Sequence, residues 1–178
     1  MSGETVWEGK FLSVVKDGSW EYAARKDDIA ATVIVATDGD HVLLVEQERK
    51  PIGRACLELP AGLVGDEGGP ESVVDAARRE LEEETGYRAD RVEELGEFFS
   101  SPGMTSERFS VVRATGLTRT GEPEEGITLH RVPLTDLPRF IGERRAAGIG
   151  IDAKLLLLLS LQALDGDADL AEIVGVAL

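Results

Sequence analysis

Cysteine, aromatic side chains and long apolar runs are all scarce in this sequence. Cys56 is the only cysteine among 178 residues, which excludes an intramolecular disulfide and fits a reducing compartment, so we expect a cytoplasmic protein. The longest uninterrupted apolar run is Leu155–Leu159. Since a membrane-spanning helix needs roughly 20 apolar residues, we expect no membrane span. The N-terminus shows no basic start followed by an apolar stretch, so we also expect no secretory signal.

Basic residues are scarce relative to acids. Nineteen Lys and Arg stand against 34 Asp and Glu, which gives a net charge of −15. Nucleic acids and anionic membrane surfaces repel such a chain, so we expect neither as a partner. The excess of acids either only solvates the surface or includes a local cluster that holds a cation, and the positions of the acids distinguish the two. Hydrophobic residues make up 42% of the chain, enough for a folded core.

The apolar pattern predicts strands and helices that do not alternate regularly, which favours an α+β fold. Residues 5–25 are expected to form a β-hairpin around the turn Asp17-Gly18. A glycine-rich loop at 62–70 precedes a helix that should begin near Glu71 and end at Gly86. Further strands are expected at Thr32–Ala36, His41–Val45, Cys56–Leu59, Val92–Phe99, Arg108–Arg113 and Ile127–Pro133, and further helices at Asp136–Ala147, at Asp152–Leu164 and in the last dozen residues.

The predicted helix ends in glutamates, although the helix dipole favours cations there. Glu82, Glu83 and Glu84 occupy its last turn, and each such acid costs about 0.3–1 kcal/mol when exposed. At about 100° per residue, Glu80, Glu83 and Glu84 share one face, whereas Glu82 points elsewhere. Three carboxylates within one turn suit Mg²⁺ or Mn²⁺ rather than zinc. The charge pattern alone is equally compatible with a solvated acidic face.

The wider spacing of these acids resembles the Nudix box, Gly-x5-Glu-x7-Arg-Glu-aliphatic-x-Glu-Glu-x-Gly-aliphatic. The sequence reads Gly65, five residues, Glu71, seven residues, and then Arg79-Glu80-Leu81-Glu82-Glu83-Glu84-Thr85-Gly86-Tyr87. Only Tyr87 departs from the pattern, because it is aromatic. In relatives with a Pro-Ala-Gly segment, the glycine of that segment usually opens the box. Here Pro60-Ala61-Gly62 lies three residues too early and Gly65 takes that position, which indicates a small insertion in the loop at 62–70.

This resemblance implies a Nudix-type α/β/α sandwich with a mixed central sheet. It also implies a hydrolase that depends on Mg²⁺ or Mn²⁺ and cleaves a nucleoside diphosphate linked to another group. Glu80, Glu83 and Glu84 are then the metal ligands, together with the carbonyl of Ala61, and Glu83 and Glu84 are also expected to be catalytic. Structural roles in the box fall on Gly65, Glu71, Arg79 and Gly86.

Segments outside the box resemble ADP-ribose pyrophosphatases. Ser101–Glu107 is similar to their Ser-Pro-Gly-x-(Ser/Thr)-x-Glu segment, Glu58–Gly62 to the segment that leads into their box, and Gln47–Pro51 to a segment whose arginine faces the substrate. Asp152–Lys154 resembles an element of their final helix. The resemblance therefore implies hydrolysis of ADP-ribose to AMP and ribose 5-phosphate. It implies substrate contacts from Phe11, Trp20, Arg25, Arg49, Glu58, Met104 and Glu107.

The same resemblance implies a homodimer. Each chain is expected to have three segments. Residues 1–28 would form an N-terminal arm for dimerisation and base binding, residues 29–165 the hydrolase domain, and residues 166–178 a C-terminal tail. Trp20 either stacks on adenine, which is worth roughly 1–3 kcal/mol per base, or simply packs in the sheet. The general base is either a glutamate of the helix or Glu125, in the acidic loop Gly121–Gly126.

Three other functions compete with this interpretation. The chain could hydrolyse another nucleoside diphosphate sugar such as GDP-mannose, or it could be a non-catalytic Nudix module that binds a nucleotide or a protein. It could also be an acidic interaction protein without a metal site. The complete set of box glutamates favours an enzyme, and a stabilising effect of Mg²⁺ would separate it from an acidic interaction protein.

Overall fold

The chain begins with a three-stranded antiparallel sheet, which is one strand more than the hairpin expected over residues 5–25. Strand β1 (Glu4–Glu8) pairs with β2 (Leu12–Asp17), and β2 pairs with β3 (Trp20–Arg25). The turn between β2 and β3 contains Gly18 at φ +59°, a left-handed conformation that glycine adopts without steric cost. The computed structural model describes residues 3–26, 29–65 and 69–156, so the expected segment boundary at residue 28 lies outside the described residues.

A mixed eight-stranded sheet forms the centre of the molecule. Its strands are β4 (Ala31–Asp38), β5 (His41–Arg49), β6 (Arg54–Glu58), β7 (Ala61–Leu63), β8 (Tyr87–Phe99), β9 (Arg108–Arg119), β10 (Thr128–Pro133) and β11 (Gly150–Ile151). They follow the order β11–β6–β5–β4–β9–β8, while β10 pairs with β5 and β7 pairs with β4. The pairs β4–β9 and β6–β11 are parallel, and the other pairs are antiparallel.

Two helices cover opposite faces of this sheet. Helix α1 (Val73–Thr85) buries Ala77 and Leu81 against one apolar cluster with Ile34 and Leu43. On the other face, helix α2 (Leu137–Ala146) packs against a second cluster, which contains Val33, Val35, Val42, Leu44, Leu57, Leu59 and Val111. Side chains alternate between the faces of a strand, so the nearly continuous apolar run of β4 serves both clusters. The α+β fold and the sandwich of two helical layers around a mixed sheet are confirmed.

Several element boundaries differ from those expected. Helix α1 begins two residues after Glu71 because Ser72 is its N-cap and accepts a hydrogen bond from the amide of Asp75. Strand β7 takes the first positions of the segment expected to be a loop at 62–70. Strand β5 runs to Arg49, β8 begins at Tyr87 instead of Val92, and β9 continues to Arg119 instead of Arg113. Strand β8 is an edge strand with mostly exposed side chains, so it carries no regular apolar alternation.

The C-terminal predictions can be compared only in part. The expected helix Asp152–Leu164 begins as a short 3₁₀ turn, Ala153–Leu156. The rest of that helix, the tail at 166–178 and the expected last helix lie outside the described residues. Within residues 3–26, 29–65 and 69–156, no helix is long and apolar enough to cross a membrane.

Candidate active site

The C-terminal end of α1 is closed by Gly86 and by the segment that follows β9. Gly86 has φ +71°, and its amide donates to the carbonyl of Glu82 at 2.8 Å. A Cβ atom at this position would lie 2.4 Å from the carbonyl oxygen of Gly121. The amide of Glu124 donates to the carbonyl of Glu83 at 2.8 Å, which satisfies one of the free carbonyls of the last turn. This segment is therefore fastened to the end of the helix, and the exposed Glu125 follows directly.

Glu84 is a buried carboxylate at the helix end whose pKa is strongly shifted. Only 7% of the residue is exposed. The amide of Ala61 donates to its Oε2 at 2.9 Å, and Nε2 of Gln47 donates to its Oε1 at 3.3 Å. Burial raises the pKa of Glu84 to about 7 against the lowering effect of these two hydrogen bonds, and the charge of Glu80 adds to the increase. A cation beside this pair would offset both effects.

Glu80 is also buried, and it fills the space above Gly62. A Cβ atom at position 62 would lie 1.8–2.3 Å from the carboxyl atoms of Glu80, so a larger residue there would displace this carboxylate or the strand. Together, Ala61 and Gly62 place the strand β7 directly against the two buried carboxylates.

Arg79 ties the loop before the helix to the helix itself. Its Nε donates to Oε1 of Glu71 at 3.2 Å, and one terminal nitrogen donates to the carbonyl of Leu63 at 3.1 Å. The amide of Gly65 donates to Oε2 of Glu71 at 2.9 Å. The hydrogen bonds from Arg79 and Gly65 lower the pKa of Glu71. The structure thus brings together three of the residues to which the sequence assigned structural roles.

Arg79 also reaches the glutamates of the helix. Its other terminal nitrogen donates to Glu80 at 2.8 Å and to Glu83 at 3.1 Å. The side chain of Glu83 is 45% exposed, so it does not share the buried position of Glu80 and Glu84 that one common helix face suggested. Glu82 points away, as expected, and pairs with Arg88.

The donor set suits a hard divalent cation. Glu80, Glu83 and Glu84 offer carboxylate oxygens, which Mg²⁺ and Mn²⁺ prefer. No three His, Cys, Asp or Glu side chains within the described ranges are close enough together to hold an ion as they stand. The two buried carboxylates of Glu80 and Glu84 supply part of a site, and Glu83 is the nearest candidate for a third carboxylate because Arg79 already joins it to Glu80.

A cavity of about 840 Å³ lies beside the two buried carboxylates. Ala61 and Gly62 line it, and these residues contact Glu84 and Glu80. Arg49 and Glu58 line the same cavity and form a two-pronged ion pair, with nitrogen–oxygen distances of 2.7 and 2.5 Å. Such a pair fixes the planar guanidinium in one orientation.

Another wall of the cavity comes from the N-terminal sheet and the segment before β9. Arg25 donates from two nitrogens to Oε1 of Glu107, at 3.1 and 2.9 Å. The backbone of Ala23 in β3 exchanges hydrogen bonds with Met104 and Ser106, which attaches the N-terminal sheet to this segment. Two further lining residues, Asp152 and Lys154, form an ion pair.

The aromatic candidates lie elsewhere. Trp20 lines a second cavity of about 510 Å³ together with Tyr22 and residues of the 102–106 segment. Phe11 and Met104 are exposed, and neither residue lines the first cavity, nor does Trp20. Within one copy of the chain, the structure does not bring these three side chains to the buried carboxylates.

Two features of the site were not assigned from the sequence. Gln47 belongs to the segment that resembles a substrate-facing motif, but its contact with Glu84 was not predicted. The alternation along β5 would have placed it on the same face as Arg49. The contact of Gly62 with Glu80 depends on how β7 packs against α1, for which the sequence carries no local signal.

Known proteins resemble this chain in sequence across the strands and the helix that form the site. Residues 26–151 match the family model of the NUDIX domain. The chain is 36% identical over 121 residues to the methanol dehydrogenase activator of Bacillus methanolicus, covering 65% of this chain and 64% of that protein. It is 34% identical over 120 residues to the ADP-ribose pyrophosphatase of Bacillus subtilis, covering 65% and 63%. It is 37% identical over 95 residues to the ADP-ribose pyrophosphatase of Mycobacterium tuberculosis, covering 53% and 45%.

The match extends over about half to two thirds of the length of these curated relatives. A crystal structure of an ADP compounds hydrolase superposes with a TM-score of 0.67 and covers 94% of this chain and 95% of that one, at 23% identity. At that identity the superposition supports the fold only. The family model covers most of the chain, including the glutamates of α1 and the strands that bury them. The chain therefore belongs to the Nudix family.

Proposed function

We propose that this chain hydrolyses the diphosphate of ADP-ribose to AMP and ribose 5-phosphate, with Mg²⁺ or Mn²⁺ as cofactor. The observation that carries the proposal is the buried pair Glu80 and Glu84, which lies behind two residues that line a large cavity. Related proteins named ADP-ribose pyrophosphatase favour ADP-ribose among the nucleoside diphosphate sugars.

Glu80, Glu83 and Glu84, with the carbonyl of Ala61, are the groups that would hold the cation. When bound, such an ion neutralises phosphate oxygens and makes water a stronger nucleophile near neutral pH. The amide of Ala61 and the side chain of Gln47 keep the Glu84 carboxylate in a fixed orientation. The helix and the preceding loop are held in place by the contacts of Gly65, Glu71, Arg79 and Gly86.

Proton transfer can come from the helix glutamates or from Glu125. The backbone bond between Glu124 and Glu83 keeps the loop beside the end of the helix, which supports Glu125 as general base. We therefore propose Glu83, Glu84 and Glu125 as the catalytic carboxylates.

Substrate contacts are proposed on both walls of the cavity. Arg49 and Arg25 can donate to phosphate or ribose oxygens, while Glu58 and Glu107 orient them through ion pairs. Trp20, Phe11 and Met104 are proposed contacts to the base, and in this arrangement they would serve a site completed by a second copy of the chain.

A homodimer through the N-terminal sheet is part of the proposal. Val6, Trp7, Leu12 and Trp20 are large apolar residues of this sheet that remain exposed. Trp7 and Leu12 lie on one face of this sheet and Trp20 lies on the other, because Trp7 pairs with Val14 and Trp20 pairs with Asp17. Exposed apolar side chains that adjoin on one face, such as Trp7 and Leu12, are expected at an interaction surface. Sedimentation velocity on the wild-type chain and on Trp7→Ser checks this: a dimer that the substitution weakens supports it, and a monomeric wild type contradicts it.

The lone, buried Cys56 supports a reducing compartment such as the cytoplasm.

The activity is tested with a panel of ADP-ribose, ADP-glucose and GDP-mannose in Mg²⁺, Mn²⁺ or EDTA, with products separated by chromatography. We expect AMP from ADP-ribose in the presence of either ion. Glu84→Gln should lower kcat by at least about a hundredfold. The matched control is Glu82→Gln, which makes the same substitution in the same turn, at a side chain that bonds to Arg88 and Thr120 and not to the buried pair.

Each outcome of this panel assigns a function. If GDP-mannose is cleaved faster than ADP-ribose, the substrate is another nucleoside diphosphate sugar and not ADP-ribose. Binding without cleavage of any member would indicate a non-catalytic module. Equal activity of the Glu84→Gln and Glu82→Gln variants would contradict the assignment of the buried pair.

A further inference from the structure

Two arginines face each other at the tip of the β5–β6 hairpin. The register of the two strands pairs Arg49 with Arg54, Gln47 with Cys56 and Val45 with Glu58. Like charges directly opposite each other in an antiparallel pair are destabilising. A sequence selected only for this hairpin would place an acid at one of the two positions, so the pair indicates another use.

Only one of the two arginines has an acidic partner. Glu58 is occupied on both carboxylate oxygens by Arg49, whose side chain lies back along the sheet. No ion pair or side-chain hydrogen bond joins Arg54 to any other residue in the described part of the chain.

Arg54 also faces the cavity. Residues 54, 56 and 58 lie on the same face of β6, because side chains alternate along a strand. All three line the cavity that adjoins Glu80 and Glu84. The neighbouring cation of the hairpin tip, Lys50, does not line it. Arg54 therefore presents its guanidinium at the mouth of the proposed substrate site, without an ion pair to any residue that the structure describes.

We propose that Arg54 is a substrate-binding residue that donates hydrogen bonds to a phosphoryl oxygen of the nucleoside diphosphate. The inference rests on the proposed function and adds a residue that neither the sequence motifs nor the ion-pair pattern assigned. A guanidinium offers several donors in a fixed plane, which matches phosphate better than a lysine ammonium does. A bound phosphate would supply the counter-charge that this position lacks and would relieve the repulsion between the two arginines.

The test compares Arg54→Gln with Lys50→Gln. Both variants remove one positive charge from the same hairpin, but only position 54 lines the cavity. Binding of ADP-ribose is measured by calorimetry in EDTA, where turnover does not interfere, and kcat and KM are then measured with Mg²⁺. We expect Arg54→Gln to weaken ADP-ribose binding about tenfold or more and to raise KM more than it lowers kcat. Arg54→Lys should recover part of the affinity, and Lys50→Gln should change it by less than about twofold.

The outcomes separate this inference from the proposed function. Wild-type hydrolysis together with unchanged binding by Arg54→Gln would overturn the inference and leave the function standing. Loss of binding in Arg54→Gln without any hydrolysis by the wild type would overturn the function and leave the inference standing. Equal losses in the Arg54 and Lys50 variants would reduce the effect to general electrostatics and overturn the inference, as would a wild type that binds no ADP-ribose.

Discussion

The charged carboxylate of Glu71 accepts hydrogen bonds from Gly65 in the loop and from Arg79 in helix α1. Its contribution to stability therefore depends on pH. Its pKa in the folded protein lies below the ordinary value of 4.5, because Arg79 and Gly65 donate hydrogen bonds to the charged form. The stabilisation is therefore complete above pH 4.5 and is lost as the pH falls through the folded-state pKa. We expect Glu71→Gln to lower the free energy of unfolding by about 1–3 kcal/mol at neutral pH.

This difference between wild type and Glu71→Gln should shrink as the pH falls below 4.5, where the wild-type carboxylate also becomes neutral. Urea denaturation at neutral and acidic pH measures it. Glu93→Gln is the control, because it makes the same substitution at an exposed position on the edge strand β8. A constant difference at all pH values would mean that Glu71 acts through packing and not through its charge.

Gly62 is the residue whose replacement tests the packing of β7 against the buried carboxylates. Gly62→Ala places a methyl group within 1.8–2.3 Å of the Glu80 carboxyl atoms, so the side chain or the strand has to move. We expect at least a tenfold loss of hydrolysis, since roughly an ångström of misplacement can have a large catalytic cost. Gly69→Ala is the matched control, because a Cβ atom there meets nothing within 4 Å. Equal activities of the two variants would contradict this description of the site.

The contrast between Glu71 and Gly62 shows which residues of the site can be recognised in a sequence. Glu71, Arg79, Glu80 and Glu84 are close in the chain, so their spacing on one helix and its preceding loop is visible directly. The contacts of Gly62 and Gln47 join strands to that helix across 18 and 37 positions, and no local pattern reports them. Helical spacing places Glu83 on the same face as Glu80 and Glu84. The structure adds that Glu83 is largely exposed while the other two are buried, a difference that spacing does not predict.

The junction between α1 and the 120–124 segment is the element on which the helix end depends. Gly86 adopts φ +71°, and a Cβ atom there would clash with the backbone of Gly121. Gly39, in the turn between β4 and β5, adopts φ +60°, but a Cβ atom there would meet nothing within 4 Å. Alanine in the left-handed region costs about 1–2 kcal/mol in either place. Gly86→Ala should lose about 2–4 kcal/mol, since it adds a backbone clash that Gly39→Ala lacks.

Urea denaturation of the two glycine variants measures this difference. Catalytic activity adds a second measurement, because displacement of the segment should move Glu125 and lower kcat in Gly86→Ala alone. Equal stabilities of the two variants would show that the segment yields freely, and that it does not fix the end of the helix.

Element boundaries were predictable where a cap or a turn marks them. Gly86 marks the end of α1 and Asp17-Gly18 marks the turn between β2 and β3, as predicted, whereas the helix start was expected near Glu71 because the N-cap Ser72 was not recognised. Strand β8 lacks such a signal, because an edge strand with one solvated face carries acids where a central strand carries apolar residues. The two-residue strand β11 exists only through its parallel pairing with β6, which is a tertiary contact.

On the scale of the whole molecule, the net charge of −15 and the acidic site act in the same direction. Self-repulsion lowers the stability of the folded chain, and any salt screens it. A divalent cation bound at Glu80 and Glu84 should stabilise the folded state in addition, because the unfolded chain has no such site. Screening and binding can therefore be separated by comparing MgCl₂ with NaCl at the same ionic strength.

We expect the wild type to melt at a higher temperature in MgCl₂ than in NaCl of matched ionic strength, with a gain that follows a binding curve. At a hundredfold excess over Kd the gain corresponds to about 2.7 kcal/mol. The extra gain should disappear in Glu84→Gln and persist in Glu82→Gln, because both variants lose one carboxylate from the same turn while only Glu84 is buried beside Glu80. If both salts raise the melting temperature equally in the wild type, the acids only repel one another and the helix end holds no ion.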